Sequence, residues 1–178
     1  MPKIWKSSMI PVRKDPFDQD TRAARLKEAN MNRKMTISDY ESVFELWTNT
    51  PNMGLRNLDD SKDGINAFLK RNPETCFIAL DGDTVTGAIL CGHDGRRGYI
   101  YHTTVRSDYR NQGIATALIN AAIAALQKEG ITRVCLNVME SNEPGKTFWQ
   151  NRGWEKKDFL GFYSRSITDK ENLPLFKL

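Results

Sequence analysis

The sequence predicts a mixed α/β fold in which one mixed β-sheet of about six to seven strands is flanked by about four helices. Short apolar runs bounded by turn residues alternate with segments whose apolar residues recur at helical spacing. At residues 105–118 a polar loop with a single glycine joins one such run to a long alanine-rich segment. The chain of 178 residues is long enough for one domain with a hydrophobic core.

The first part of this fold is predicted to be one strand and two helices. A strand over residues 32–36 precedes a capping box with Ser38 as N-cap and Glu41 at position N3, so a helix should begin there. Turn residues at 50–54 end that helix, and a second helix is expected over residues 61–71.

Three strands and the longest helix follow. The strands are expected at residues 76–80, 84–92 and 99–105, with Asp81-Gly82 as a tight hairpin turn between the first two. A helix is expected over residues 113–130. Its buried face is predicted to comprise Ile114, Ala117, Leu118, Ala121, Ala125 and Leu126.

The C-terminal part is predicted to complete the sheet. A strand over residues 134–138 leads to a last short helix, and two further strands over residues 154–160 and 162–167 are expected to turn at Gly161. The order of elements is then β-α-α-β-β-β-α-β-α-β-β.

The loop before the long helix has the features of an anion-binding site. Gly113 lies at the mouth of the helix, where the first backbone N–H groups lack intrahelical partners and the helix dipole favours negative charge. Glycine leaves room for a phosphate near the backbone, and Arg110 can add a charge-assisted hydrogen bond. The loop is therefore predicted to bind a diphosphate.

Charge and composition argue against several classes of protein. Residues 1–34 hold nine Lys or Arg and four acids, a net charge of +5, whereas the remaining 17 basic and 18 acidic residues give −1. Because the main domain has no basic excess, nucleic acid is not expected as a partner. Neither a membrane-spanning apolar run nor a signal-peptide pattern occurs, and the P-loop and dinucleotide-binding glycine motifs are absent from the sequence.

The cysteines and histidines do not form a metal-binding pattern. Cys76, Cys91 and Cys135 are widely spaced within apolar runs and are expected to be buried free thiols, which indicates the reducing cytoplasm. The two histidines, His93 and His102, give no ligand spacing, so no metal is expected.

The segment Arg110-x-x-Gly113-x-Ala115 resembles the pyrophosphate loop of the GNAT superfamily of N-acetyltransferases. In that family a strand follows the helix, and then come an Asn and the motif Phe-Tyr-x-x-x-Gly-Phe. Here the matching residues are Asn142 and Phe148-Trp149-x-x-x-Gly153-Trp154. The resemblance covers residues 31–167, with all parts in order, and the pattern is similar to the small, poorly characterised bacterial-type branch.

The resemblance implies an N-acetyltransferase fold that binds acetyl-CoA as cosubstrate, without a metal. The diphosphate would lie on the loop, and the pantetheine arm would run beside the strand that ends at Val105, where that strand splays from the next. The Val105 backbone N–H would then polarise the thioester carbonyl. The implied cofactor-binding residues are Thr103, Thr104, Val105, Arg110, Asn111, Gln112, Gly113, Ile114, Ala115, Thr116, Asn142, Phe148 and Trp149.

The catalytic pair of one part of the family is missing. In the ribosomal-protein alanine acetyltransferases a Glu base and a Tyr acid stand where this chain has Asn137 and Trp149, and neither residue can exchange a proton at neutral pH. Tyr101 and His102 are the remaining catalytic candidates. Because side chains alternate along a strand, His102 is expected to point away from Tyr99 and Tyr101. A base acting through ordered water is a third alternative.

The expected acceptor is a small amine or an amino-acid-like metabolite. A protein N-terminus or a lysine is one alternative, and a non-catalytic acyl-CoA sensor is another. Membrane partners are not expected, and a homodimer stays open. The acceptor pocket is expected to have an apolar lining of Met53, Leu55, Phe162 and Tyr163. Three acids can attract an amine or simply keep the surface soluble: Asp59, Asp60 and Asp63.

Residues 1–30 are expected to form a basic extension, distinct from a domain over residues 31–178. A tail, or a start at Met31, explains the extension better than a nucleic-acid-binding arm does. We expect deletion of residues 1–30 to leave the melting temperature and the CoA affinity unchanged, because the extension lacks a patterned apolar face. Thermal unfolding and CoA titration of the truncated chain check this. A large loss of stability would show that the apolar residues near the start dock onto the domain or a partner subunit.

Overall fold

A computed structural model describes residues 31–175, so the predicted extension over residues 1–30 lies outside the described residues. The strands are β1 (Met31–Lys34), β2 (Phe77–Asp81), β3 (Thr84–His93), β4 (Gly98–Val105) and β5 (Val134–Leu136). The α-helices are α1 (Tyr40–Thr48), α2 (Lys62–Arg71), α3 (Ile114–Lys128) and α4 (Glu143–Gln150). Single 3-10 turns precede α1 and α3, at Ile37–Asp39 and Ser107–Tyr109.

The strands form one mixed sheet in the order β1-β2-β3-β4-β5. The first four strands are antiparallel to their neighbours, and β5 is parallel to β4. The central strand β3 is buried on both faces, since Ala88 and Leu90 pack with α1 and α2 whereas Ile89 and Cys91 pack with α3. The predicted class, a mixed α/β fold with one mixed sheet and four helices, is confirmed.

The capping box lies two residues before the predicted one, at the 3-10 turn that leads into α1. Thr36 and Asp39 form the capping interaction, in which Asp39 Oδ2 accepts the Thr36 backbone N–H at 2.8 Å. Arg33 holds the same carboxylate in an ion pair of 2.6 Å. The predicted box of Ser38 and Glu41 is wrong, because the overlapping pattern that starts at Thr36 gains this additional ion pair.

The buried face of α3 is also rotated from the prediction. Its buried residues are Ile114, Leu118, Ile119, Ala122 and Leu126. Of the predicted alanines, Ala117 is exposed, and Ala121 and Ala125 are half-buried. The burial of Ile119 in place of Ala117 removes more apolar surface from water, which favours the observed rotation.

The sheet has five strands, fewer than predicted, because the two strands expected over 154–160 and 162–167 do not form. Residues 155–171 contain no strand, and their side chains are exposed. Four consecutive charged residues, from Glu155 to Asp158, would place charges on both faces of a strand. Instead they form ion pairs, in which Lys156 contacts Asp158 at 3.5 Å and Glu140 at 2.9 Å. The apolar residues that follow, Phe159, Leu160 and Phe162, have no surface to pack against and are exposed.

Candidate functional site

β4 and β5, the last two strands of the sheet, pair over the first part of β4 only. They pair in parallel from Gly98 with Val134 to Ile100 with Leu136, and their pairing ends there. The strand predicted over residues 134–138 is thus two residues shorter, and the second half of β4 has a strand neighbour, β3, on one side only. The result is an open gap beside residues 101–105.

The alternation of backbone groups along β4 directs the Val105 N–H into this gap. Arg106 donates its N–H to the Thr86 carbonyl of the β3 side at 2.9 Å. Because antiparallel strands present alternate residues to a neighbour, the backbone groups of Thr103 and Val105 face away from β3. The Val105 carbonyl follows this alternation, since it accepts Arg110 Nε at 3.3 Å. The Val105 N–H therefore faces the gap.

The two threonines before Val105 lie in different environments. Thr104 is buried, and its hydroxyl shares a 2.8 Å hydrogen bond with Thr50. The Thr103 hydroxyl is buried without a hydrogen-bond partner among residues 31–175. Such a group costs about 1–3 kcal/mol when it stays unpaired. Thr103 is therefore a candidate contact for a polar ligand group.

The loop from β4 to α3 is shaped to receive an anion. Gly113 is the N-cap residue of α3 with a φ of 83°, and Asn111 has a φ of 61°; both are left-handed conformations. The first α3 hydrogen bond runs from the Ala117 N–H to the Gly113 carbonyl at 3.0 Å, which leaves the N–H groups of residues 114–116 without intrahelical acceptors. The Gln112 side chain turns back to a loop carbonyl at 3.3 Å.

Two guanidinium groups flank this loop. Arg110 is exposed beside it. Arg152, which the sequence analysis did not select, donates through Nη2 to the Thr116 hydroxyl at 3.1 Å, and its guanidinium lies 3.7 Å from the centroid of the Phe148 ring. The signal that could have identified Arg152 is its place immediately before Gly153 in the aromatic motif. Both cations add positive potential where the dipole of the 15-residue α3 is positive.

The described contacts of Asn142 and Trp149 are structural. Asn142 is the N-cap of α4, where its Oδ1 accepts the Gly145 N–H at 2.9 Å. The Trp149 ring packs edge-on against Phe148, at 5.1 Å between centroids, and against Trp154, at 4.9 Å. This aromatic cluster covers part of the core beneath α3.

A β-bulge redirects the side chains of β4. The register with β3 shifts by one between residues 90 and 91, so that Tyr101 is an extra residue. Ile100 packs in the core with α3, whereas His102 and Tyr99 both lie on the face that carries α1 and α2. The expectation that His102 points away from the tyrosines is wrong, because the bulge breaks the alternation on which it depended.

The tyrosines form an aromatic wall on this face. Tyr101 is 54% exposed and lies 5.2 Å from Tyr99 and 5.4 Å from Phe68 of α2, between ring centroids. Partial burial raises the pKa of Tyr101, so its hydroxyl stays protonated at neutral pH and can donate but not accept a proton. The Tyr99 hydroxyl donates to Asn137 Oδ1 at 2.8 Å, across the start of the gap.

His102 is paired with a buried carboxylate. Its Nε2 lies 2.7 Å from Asp60 Oδ1, and its ring is edge-on to Trp47, with centroids 5.0 Å apart. Asp60 is 5% exposed, so it is not the surface acid that the sequence suggested. Sequence reasoning missed this contact because 42 residues separate its partners.

The residues expected to line the acceptor pocket are dispersed. Leu55 lies in the core at 1% exposure, which contradicts its expected place in an open slot. Met53 is partly buried against the same core. Phe162 and Tyr163 belong to the exposed C-terminal segment.

The three cysteines are free thiols that differ in burial. Cys76 and Cys91 are buried, and burial raises the pKa of each to about 12, whereas Cys135 is half-buried. Within residues 31–175, no cluster of three His, Cys, Asp or Glu side chains is arranged to hold a metal ion. No helix in the described part of the chain is long and apolar enough to cross a membrane.

Known proteins share both the sequence pattern and this architecture. Residues 40–154 match the acetyltransferase (GNAT) family. An acetyltransferase of Yersinia pestis (strain Pestoides F) is 34% identical over 137 residues, which cover 75% of this chain and 93% of that protein.

Solved structures show the same fold. The PaiA N-acetyltransferase of Thermoplasma acidophilum, solved with coenzyme A, matches with a TM-score of 0.66 at 19% identity, over 74% of this chain and 93% of that one. An aminoglycoside acetyltransferase from an uncultured soil metagenomic sample, solved with sisomicin, matches with a TM-score of 0.61 at 15% identity. The match covers 79% of this chain and 99% of that one. The family match covers more than half of the chain and includes the gap between β4 and β5 as well as the loop at Gly113. This protein is therefore a member of the GNAT family of acetyltransferases.

Proposed function

We propose that this protein is a cytoplasmic N-acetyltransferase that transfers the acetyl group of acetyl-CoA to a small amine or an amino-acid-like metabolite. The observation that carries the proposal is that the half of β4 without a β5 partner leads directly into the N-terminal loop of α3, which defines a path from the gap to that loop. Such a path suits a ligand with an anionic end and an extended, amide-containing arm.

The residues along the path fit the two parts of CoA. The free N–H groups of residues 114–116, together with Arg110, suit a diphosphate. The backbone N–H and carbonyl of Thr103 face the gap and can pair with amides of the pantetheine arm, as a new strand would, which leaves the Val105 N–H for the thioester carbonyl. The unpaired Thr103 hydroxyl lies on the same strand.

The reaction is a direct transfer. The amine nitrogen attacks the thioester carbonyl carbon, the N–C bond forms, the C–S bond breaks, and the amine proton ends on the CoA sulfur. The Val105 N–H stabilises the negative charge that develops on the carbonyl oxygen. Of the two catalytic candidates, Tyr101 is suited to donate a hydrogen bond because its pKa is raised, and His102 is suited to accept a proton.

A small amine suits the surface around Tyr101. The faces of Tyr99, Tyr101 and Phe68 attract an ammonium group. Asp94 contributes negative potential at this place, since it is among the groups that raise the pKa of Tyr101. An amine drawn to the aromatic wall lies beside the open half of β4.

A ligand panel tests the donor. We expect acetyl-CoA and CoA to raise the melting temperature, and ATP and NAD to leave it unchanged. Ligand at about a hundredfold its Kd adds roughly 2.7 kcal/mol of stability. That gain corresponds to a rise of about 5–10 °C for a domain of this size. Equal shifts with all four compounds, or none, would contradict the proposal.

Release of CoA thiol with a panel of small amines, amino acids and peptides tests the transfer. The buried Cys76 and Cys91 will not react with the thiol reagent, since their pKa values are raised to about 12. Cys135 is half-buried, so a Cys135→Ser variant provides the background control. Amine-dependent release with small amines supports the proposed acceptor. Release with peptides alone would assign the protein-acetylating alternative, and CoA binding without release would assign the sensor.

A further inference from the structure

The pair formed by His102 and Asp60 is built into the face of the sheet that carries the proposed acceptor site. His102 follows the bulge residue Tyr101 directly, on the half of β4 that borders the gap. Its side chain is 12% exposed and that of Asp60 7%, so the 2.7 Å contact between them is largely shielded from water. The Trp47 ring, with its centroid 5.0 Å from that of the imidazole, restricts the imidazole further.

Asp60 is held rigidly in this place. Its Oδ2 accepts the Arg56 backbone N–H at 2.7 Å, and its backbone carbonyl accepts the Tyr40 hydroxyl at 3.0 Å. Among residues 31–175, His102 is the sole ion-pair partner of this carboxylate. A buried carboxylate requires hydrogen-bond donors or a cation, so the imidazole is part of what stabilises its charge.

The last described residues of the chain, 173–175, form hydrogen bonds with the loop that carries Asp60. Asn57 donates its backbone N–H to the Leu173 carbonyl at 3.0 Å, and Leu173 returns a hydrogen bond to Asn57 Oδ1 at 2.6 Å. Leu175 donates its N–H to the Leu55 carbonyl at 2.9 Å. These bonds fix the loop on both sides of residue 56, and thereby the carboxylate.

The hydrogen-bond pattern selects one tautomer of His102. A carboxylate only accepts hydrogen bonds, so the hydrogen of the neutral imidazole resides on Nε2, where Asp60 binds it. Nδ1 then carries the lone pair, and it makes no hydrogen bond with the described residues. The free nitrogen of the ring is therefore the one that can take a proton.

We propose that His102 Nδ1 is the general base of the acetyl transfer and that Asp60 is its positioning residue. This inference rests on the proposed function. As the amine attacks, its proton moves to Nδ1 while the nitrogen lone pair forms the N–C bond. The C–S bond then breaks, sulfur leaves with the electron pair and takes the proton from His102, and the imidazole returns to its neutral form. Asp60 stabilises the transient imidazolium and holds the tautomer.

Within residues 31–175, the ionisable groups next to His102 and its partner come from three elements. The loop before α2 contributes Asp60, α1 contributes the hydroxyl of Tyr40 through the Asp60 carbonyl, and β4 contributes the neighbouring Tyr101. The Trp47 ring of α1 does not titrate. The pH dependence of transfer should therefore reflect the imidazole.

The test compares His102→Gln and Asp60→Asn with a matched pair far from the gap. His93 and Glu129 make a similar contact of 2.8 Å, so His93→Gln and Glu129→Gln are the controls. The measurements are kcat and the KM for acetyl-CoA between about pH 6 and about pH 10, in the CoA-release assay.

We expect His102→Gln to lower kcat near neutral pH by about a hundredfold or more, the usual contribution of a general base. Asp60→Asn should cost a comparable factor, because an amide can donate to Nε2 and hold the wrong tautomer. The KM for acetyl-CoA should change by less than about threefold in both, since neither residue contacts the proposed CoA path. Tyr101→Phe should lower kcat by about tenfold or less. The control variants should retain the activity of the unaltered protein.

The shape of the pH profile separates a catalytic role from a structural one. The rate of the unaltered protein should level off once the imidazole is neutral, whereas the rate of His102→Gln should keep rising toward the pKa of the amine. Unaltered kcat and profile in His102→Gln overturn the proposal, whatever Asp60→Asn does to folding. A loss of activity in Asp60→Asn that only matches a loss of CoA binding also overturns it. If the unaltered protein shows no amine-dependent release, the proposed function itself fails.

Discussion

Replacement of Gly113 by Glu is expected to abolish CoA binding while the fold stays intact. The N–H groups of residues 114–116 would then face a fixed negative charge at the point where the diphosphate must approach. Gly113 has a φ of 83°, so a residue with a Cβ is also strained there. Charge-assisted hydrogen bonds contribute roughly 1.5–3 kcal/mol each. The loss of one or two of them weakens binding by about tenfold to about ten-thousandfold.

Gly130→Glu is the matched control for this variant. Gly130 has a φ of 77°, lies just beyond the opposite end of α3, and has open space where a Cβ would be added. The two variants therefore share the added charge and the strained backbone, and differ in the end of the helix that they alter. Calorimetric titration with CoA and thermal unfolding measure both properties. A folded Gly113→Glu protein with unchanged CoA affinity would remove this loop from the proposed path.

The loop was predictable from the sequence because its chemistry is local. A glycine at the mouth of a helix, a nearby arginine and an apolar strand before them lie within about a dozen residues, and helix physics alone gives that arrangement an affinity for anions. The structure places Gly113 as the N-cap residue in the left-handed conformation. The divergence of β4 from β5 followed from the family resemblance and not from any single residue pattern.

The surroundings of His102 were not predictable in the same way. Strand periodicity assigns side chains to faces only while the register holds, and one extra residue at Tyr101 reverses the assignment for everything on one side of it. The partner, Asp60, is one of three acids that lie within five residues of one another, and the local sequence does not distinguish them. Which of them is buried depends on the contacts with His102 and Tyr40 and on the hydrogen bonds from residues 173–175, and all of these join distant parts of the chain.

The two C-terminal strands that were predicted but do not form show that an apolar run alone does not predict a strand. Phe159, Phe162 and Tyr163 satisfy strand propensity, which describes how well a side chain fits a half-buried surface. That propensity has no effect without a neighbouring surface to pack on. In the structure these aromatic residues follow four charged ones and remain exposed.

The second large effect is expected at Val105. Val105→Pro removes the backbone N–H that faces the gap, and Val105 contributes no N–H to the ladder with β3, so the sheet keeps its hydrogen bonds. Thr104, the preceding residue, is already in a strand, which suits the residue before a proline. If this N–H stabilises the oxyanion, its removal should lower kcat by about 10²–10³, or roughly 2.7–4 kcal/mol of transition-state stabilisation.

Val105→Ala separates the N–H from the side chain. Both variants lose the isopropyl group that packs against the core beneath α3, but only the proline variant loses the donor. We expect Val105→Ala to keep kcat within about threefold, and both variants to bind CoA with similar affinity because the diphosphate loop is unchanged. Steady-state kinetics with acetyl-CoA and CoA titrations measure these quantities. If Val105→Pro turns over as fast as Val105→Ala, the oxyanion must be stabilised by another donor, and the other backbone N–H that faces the gap, that of Thr103, becomes the residue to test.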